Sequence, residues 1–186
     1  MAAIRAYELG LFARLLDLES RTRDSFRIVY QQNDEVVTRP FTLYSDPTRA
    51  VGVGLGRYSF NRAGFDVGSG PQRKLSANFH YRDGDFYDGH RKNVSGDVTW
   101  KASPRFNMTL RYDWNDIELS QGQFTSRLVG VVTEMAIRLN LTWINLIQYD
   151  NTSEVFGVNS RLQWIPKAGR TGFIVLNHNL QDFDKD

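Results

Sequence analysis

From residue 25 onward the chain alternates. Phe26, Ile28 and Tyr30 are separated by Arg27 and Val29, and Leu75, Ala77, Phe79 and Tyr81 by Ser76, Asn78 and His80. Val94, Gly96, Val98 and Trp100 repeat the pattern, as do Met108, Leu110, Tyr112 and Trp114, and then Phe156, Val158, Ser160, Leu162 and Trp164. A period of two residues gives a sheet one apolar and one polar face. Several runs continue for ten residues or more. That exceeds the usual strand of about 5–6 residues and matches the roughly 9–11 that a membrane-crossing strand needs.

Two stretches, 124–136 and 141–149, carry apolar residues on both faces, as strands covered on both sides do. Near the N-terminus, Ile4, Tyr7, Leu11, Leu15 and Leu18 keep a helical 3–4 spacing, while Tyr7, Leu9, Leu11, Ala13 and Leu15 fit one face of a strand. The succession of hairpins that follows favours strand over helix for residues 1–24. The expected fold is all-β: an antiparallel up-and-down meander of about ten strands, an outer-membrane β-barrel or part of one, in a single domain over 1–186.

The connections support this layout. Breaks near 19–24, 68–74, 103–106, 137–140 and 165–171 are tight, whereas 38–54, 83–92 and 116–123 read as longer and more polar loops, with 150–154 a short exception. Alternate connections of a meander lie at the same end, so one end has short turns and the other long loops. Charge divides in the same way. The tight turns carry Arg21, Arg23, Arg73, Lys74, Arg105, Arg138, Lys167 and Arg170 against Glu19 and Asp24. The other end carries Asp34, Glu35, Asp46, Asp83, Asp85, Asp88, Asp116, Glu118, Asp150 and Glu154, with Asp182, Asp184 and Asp186 in the tail. Arg39, Arg49, Arg82, Arg91, Lys92 and Lys185 offset them only in part.

Composition narrows the chemistry. Zero cysteines exclude disulfide scaffolds, thiolate metal sites and cysteine nucleophiles. A net charge of +2, from 23 basic and 21 acidic residues, provides no general field for polyanions. No apolar run is long enough for a membrane helix. The mean hydropathy of −0.44 is that of an ordinary water-soluble chain. It fits a transmembrane barrel equally well, because lipid-facing and lumen-facing residues alternate and average out.

The segments GDFYDGHR (84–91), DVTWKASPRFNMTLRYDWNDIEL (97–119), GQFTSRL (122–128) and QYDNTSEVFGVNSRLQWIPKAGR (148–170) carry a resemblance, most specific over 148–170. A weaker echo, NDEVVTRPFTL before GRYSF, lies within 33–60. Together these resemble the C-terminal transmembrane β-barrel of an uncharacterised outer-membrane family that also carries an N-terminal carbohydrate-binding-family-9-like domain. The resemblance spans roughly 33–180 and implies a bacterial outer-membrane location in a Gram-negative-type cell envelope. It implies contact with outer-membrane lipid and an anchoring, pore or binding role. A barrel of this family is expected to have a secretory signal and the carbohydrate-binding-like domain before these strands, and a further strand with a terminal aromatic after them. MAAIRAYELG has neither the apolar core nor the small-residue cleavage site of a signal. The chain is therefore expected to be a C-terminal barrel segment, with protein subunits as candidate partners at its sheet edges and a glycan as candidate ligand.

Few residues suggest a chemical site. Asp83, Asp85 and Asp88 surround Phe86 and Tyr87 in one expected loop, and three carboxylates could hold Ca²⁺. The alternative is a solvated hairpin loop with Asx-turns, since the spacing is not that of an EF-hand. Asp113, Asp116, Glu118 and Asp150 could supply a glycosidase-type pair, but sugar chemistry in the resembled family belongs to its other domain. No catalytic residue is assigned, no cofactor is expected and the chain is read as non-enzymatic. Tyr112, Trp114, Trp143, Tyr149 and Trp164 fall toward strand ends and are expected to form membrane-interface girdles; a soluble sheet's aromatic core is the alternative. His80, His90 and His178 have no ligand spacing, and the short HRK cluster (90–92) does not make a nucleic-acid surface. Gly52, Gly54 and Gly56 lack the setting of a dinucleotide loop and read as a flexible approach to the next strand.

Overall fold

A computed structural model describes residues 5–181, and no described residue is helical. Ten strands follow one another in one antiparallel meander: β1 (Arg5–Glu19), β2 (Ser25–Val37), β5 (Gly56–Gly68), β6 (Leu75–Phe86), β7 (Gly89–Ser103), β8 (Phe106–Leu119), β9 (Gly122–Arg138), β10 (Leu141–Asp150), β11 (Val155–Lys167) and β12 (Arg170–Gln181). Two more, β3 (Phe41–Ser45) and β4 (Ala50–Val53), form a separate hairpin within the β2–β5 connection. Among the described residues the meander is an open sheet ending at β1 and β12. The acidic tail, Asp182, Asp184 and Asp186, lies outside the described residues.

The N-terminal segment is a strand, paired with β2 from Arg5↔Val37 to Glu19↔Ser25. Ladder bonds and an apolar row override the helical spacing. A bulge between Arg14 and Leu16 then changes the row. Leu16 and Leu18 stand opposite Ile28 and Phe26, positions that unbroken alternation would give to odd-numbered residues.

Two expected loops are mostly strand. β6 and β7 are joined only by Tyr87 and Asp88, and β8 and β9 only by Ser120 and Gln121. Asp83 and Asp85 therefore lie on β6 rather than in a loop, and Asp116 and Glu118 on β8. The charges mark a change in side-chain polarity along the strand, while the backbone continues in strand form. Residues 51–56 also differ from a flexible approach. Val51 and Val53 are buried in β4, and a Cβ on Gly52 would lie 2.6 Å from the Phe41 carbonyl oxygen.

The chain groups into two compact units, in which β6, β7, β8 and β9 each contribute to both. The first comprises Met1–Gly68, Phe79–Ser95 and Trp114–Ser126. Its core joins Val51 and Val53 of the hairpin to Val37, Ile117, Leu119 and Phe124. Tyr44 stacks on Phe124 with ring centroids 5.0 Å apart, and Phe41 meets Tyr87 edge-on at 5.8 Å. The hairpin thus packs against the sheet beside the β6–β7 and β8–β9 turns.

The second unit comprises Ser69–Asn78, Gly96–Asp113 and Arg127–Asp186. Its strands β9 to β12 align in rows: Val131, Ile147, Val158 and His178 in one, and Met135, Trp143, Leu162 and Ile174 in another.

Candidate functional site

The two faces of the sheet can be followed strand by strand. On β2 and β5 the register pairs Phe26 with Val67, Ile28 with Phe65 and Tyr30 with Ala63 on one face, here the outer face. Arg27 pairs with Asp66, Val29 with Gly64 and Gln31 with Arg62 on the inner face. Ring contacts of Phe65 with Phe79 and Tyr81, at 5.9 and 5.6 Å, carry the outer face to β6.

The outer face is apolar and exposed. Leu75 is 60% exposed, while its polar neighbour Ser76 is only 8% exposed. Val98 and Trp100 are exposed on β7, as are Leu110 and Tyr112 on β8, whereas Asp97 and Thr99 are half-buried. Thirty large hydrophobic side chains are exposed among the described residues, against eight buried ones. Contiguous exposed apolar surface of this extent marks a face that contacts another protein, a membrane or a ligand.

The polarity of both faces then exchanges within single strands. Outer-face Met108, Leu110, Tyr112 and Trp114 give way along β8 to Asp116 and Glu118. Over the same span the inner face changes from Thr109, Arg111, Asp113 and Asn115 to buried Ile117 and Leu119. β5 makes the exchange between outer Ala63 and Asn61, with Phe60 buried on the inner side. On β6 it falls between Tyr81 and Asp83, and on β2 between Tyr30 and Gln32. The apolar outer segments are thus Phe26–Tyr30, Ala63–Val67, Leu75–Tyr81 and Met108–Trp114 on these strands, reaching about 20 Å at the usual strand rise.

Aromatic side chains mark the ends of these segments. Trp100, Trp143 and Trp164 stand near the tight turns and are 40–52% exposed. Tyr30, Tyr81 and Trp114 stand at the opposite ends of the apolar segments of β2, β6 and β8, and Tyr149 near the end of β10, with Tyr112 one outer position further in on β8. Tyr30 Oη donates to Asn61 Oδ1 at 2.7 Å and Tyr81 Oη to Asp83 Oδ2 at 2.9 Å, so each ring stays with the apolar rows while its hydroxyl reaches a polar residue.

One polar row interrupts the outer face of the second unit, and it satisfies itself. Asn145 Nδ2 donates to Thr133 Oγ1 at 3.1 Å, Ser160 Oγ to Asn145 Oδ1 at 2.7 Å and Trp143 Nε1 to Ser160 Oγ at 2.8 Å.

The inner face holds charge pairs. Asp17 accepts from Arg14 at 3.2 Å and Arg27 at 3.0 Å; Asp66 accepts from Arg82 at 2.7 Å and lies 2.8 Å from His80 Nδ1. Arg91 donates twice to Asn115 Oδ1, at 2.9 and 2.6 Å. Gln148, Asn159, Asn177 and Asn179 line a shallow inner depression of about 300 Å³ beside Gly157.

The sequence-derived candidates are dispersed. Asp83 is on the outer face with Tyr81 and with His90, whose Nε2 lies 2.5 Å away. Asp85 accepts from the Asn61 backbone at 3.4 Å, and Asp88 accepts from the Ser120 hydroxyl. Burial pushes the Asp83 carboxyl up, but hydrogen bonds from Tyr81 and His90 outweigh it and hold the group below its ordinary value. Among the described residues no three His, Asp or Glu side chains form a metal-sized cluster.

Asp113 lies on the inner face of β8, while Asp116 and Glu118 point to the outer face. Asp150 accepts from the Thr152 backbone at 2.8 Å and from the Ser153 hydroxyl at 3.1 Å, organising its own turn. His178 is exposed on β12. Periodicity along the chain does not bring Arg62, Arg82 and Arg91 together, because they lie on three different strands, β5, β6 and β7. Comparison with protein-family models, with curated protein sequences and with solved structures found no match to this chain.

Proposed function

We propose that this chain is the C-terminal barrel segment of a bacterial outer-membrane protein, anchored by its apolar outer face in lipid, with no enzymatic activity of its own. The observation that supports this reading most is the exchange of polarity on both faces of single strands, seen most fully on β8. In hydrocarbon, apolar side chains face out and polar ones face in; beyond the interface the same strand needs the opposite arrangement. A sheet in water needs one arrangement throughout. Trp and Tyr at the ends of the apolar segments fit membrane interfaces, with Tyr112, Trp114, Trp143, Tyr149 and Trp164 among them. The resemblance of residues 33–180 to an outer-membrane barrel family agrees with this assignment, the acidic strand ends lying outside and the basic turns in the periplasm.

The hairpin favours anchoring or binding over open passage. Its valines pack on the inner face near the β8–β9 turn in a buried apolar core with Val37, Ile117, Leu119 and Phe124. The test is fractionation of cells expressing the chain as the barrel of its parent protein. The expected result is recovery with outer membranes after high-salt washing, a need for detergent, and altered gel migration when unheated. A monomer stable in plain buffer overturns the membrane reading and leaves a β-sheet binding module for a protein or glycan.

A further inference from the structure

We infer that Arg62, with Arg82 and Arg91 beside it on the inner face, forms a binding site for a small oxyanion, a carboxylate or phosphoryl group. The site lies within the first unit. It deepens the reading of this face as the lumen side of a barrel, and its residues come from β5, β6 and β7.

The strands repeat one short pattern here, Arg62-x-Gly64 on β5 and Arg82-x-Gly84 on β6. Each glycine makes room for the other strand's arginine. A Cβ on Gly64 would lie 2.9 Å from Arg82 Cδ and 1.9 Å from the Tyr81 carbonyl oxygen. A Cβ on Gly84 would lie 2.8 Å from Arg62 Cα and 3.1 Å from Arg62 Cγ. Gly84 also has φ +152°, which L side chains rarely adopt. The two glycines thus bring two guanidinium stems together across neighbouring strands.

Aromatic faces complete the arrangement. The Arg62 guanidinium lies over Phe60 at 5.4 Å and Phe86 at 6.0 Å, and the Arg91 guanidinium lies over Phe86 at 5.2 Å. Two cations therefore flank one ring, where weak guanidinium hydration and the ring quadrupole tolerate like charges.

The charges are unequally compensated. Arg82 has the Asp66 carboxylate, and Arg91 has the Asn115 amide oxygen. Arg62 has no carboxylate partner among the described residues: its Nη2 reaches only the Asn33 amide oxygen, at 3.1 Å, in the orientation that satisfies both amide atoms. Its Nε is buried without an acceptor. A half-buried guanidinium with spare donors is matched by an oxyanion, which forms charge-assisted and often bidentate bonds with it. Inner-face Asp66 and Glu35 already have partners in Arg82 and Tyr87.

The test is isothermal titration of the detergent-solubilised protein with inorganic phosphate in one arm and glucuronate in the other, at constant ionic strength. Saturable binding of at least one is expected, the stronger arm identifying the oxyanion. Arg62→Gln should weaken it at least tenfold, Arg62→Lys less, and Arg57→Gln, on the outer face, not at all. Circular dichroism and unheated gel migration establish that each variant is folded. No saturable heat in either arm, or equal affinity in folded Arg62→Gln, overturns the site. Membrane insertion without oxyanion binding rejects the site alone, while Arg62-dependent binding by a protein soluble in plain buffer rejects the membrane reading alone.

Discussion

Single residues in this chain are held by neighbours that their own environment selects. Asp46, at the turn of the β3–β4 hairpin, accepts from the Thr48 hydroxyl at 2.6 Å, the Thr48 backbone at 2.8 Å and the Arg49 backbone at 2.9 Å. The Thr48 bonds, with smaller help from Arg49 and Tyr44, hold its carboxyl far below the ordinary carboxylate range. The folded value is below the unfolded one, so the charged form contributes fully above about pH 4. That contribution is lost as pH falls through the folded value. Asp46→Asn is therefore expected to lower stability at neutral pH and to flatten its decline below pH 4, measured by denaturant unfolding across pH. A variant whose acid limb matches the parent's would show that the turn carboxylate has no such role.

At the scale of the strand, direction of exposure matters more than hydrophobicity. Leu110 occupies the middle outer position of the row Phe106, Met108, Leu110, Tyr112 and Trp114, and it is 46% exposed. Replacing it by arginine is expected to cost about 2–4 kcal/mol in a bilayer, the usual penalty for a cation near the midplane of a barrel's lipid face. Asp116→Arg, three outer positions toward the β8–β9 turn, should change stability by less than about 0.5 kcal/mol, as surface substitutions generally do. Urea unfolding in lipid vesicles measures both, and equal costs would place the two positions in one environment.

The strands were legible for the reason this comparison exploits: alternation is a local property, and Leu75 to Tyr81 or Met108 to Trp114 carry it without tertiary help. Strand ends were less legible. Asp83, Asp85, Asp116 and Glu118 look like loop residues by charge, yet they continue outer rows beyond the apolar segment. The β3–β4 hairpin was missed because glycine-rich VGVG resembles a linker, and only contact with Ile117, Leu119 and Phe124 reveals Val51 and Val53 as core. The bulge at Arg14–Leu16 has no sequence signature apart from leucines at both 15 and 16. The Arg62 site depends on cross-strand neighbours, which periodicity does not identify.

For the molecule as a whole, low mean hydropathy and a broad apolar surface are compatible because they describe different averages. Composition sums both faces, whereas a solvent meets one at a time. Apart from Val29, the buried hydrophobics among the described residues are the seven side chains Val37, Val51, Val53, Phe60, Ile117, Leu119 and Phe124, all beyond the apolar outer segments of their strands or in the hairpin. Along those segments the inner side carries arginine, aspartate, asparagine and threonine, tied by hydrogen bonds such as Asn78 to Asp97 at 3.2 Å and Thr99 to Thr109 at 2.9 Å. The central claim is therefore a change of phase along one strand. Because the chain has no cysteine, single cysteines can be placed at successive positions from Leu110 to Leu119 and probed with a membrane-impermeant maleimide in lipid vesicles. Protection at 110, 112 and 114, reactivity at 116 and 118, and renewed protection at 117 and 119 is the predicted pattern. Reactivity at 110, 112 and 114 equal to that at 116 and 118 would contradict it.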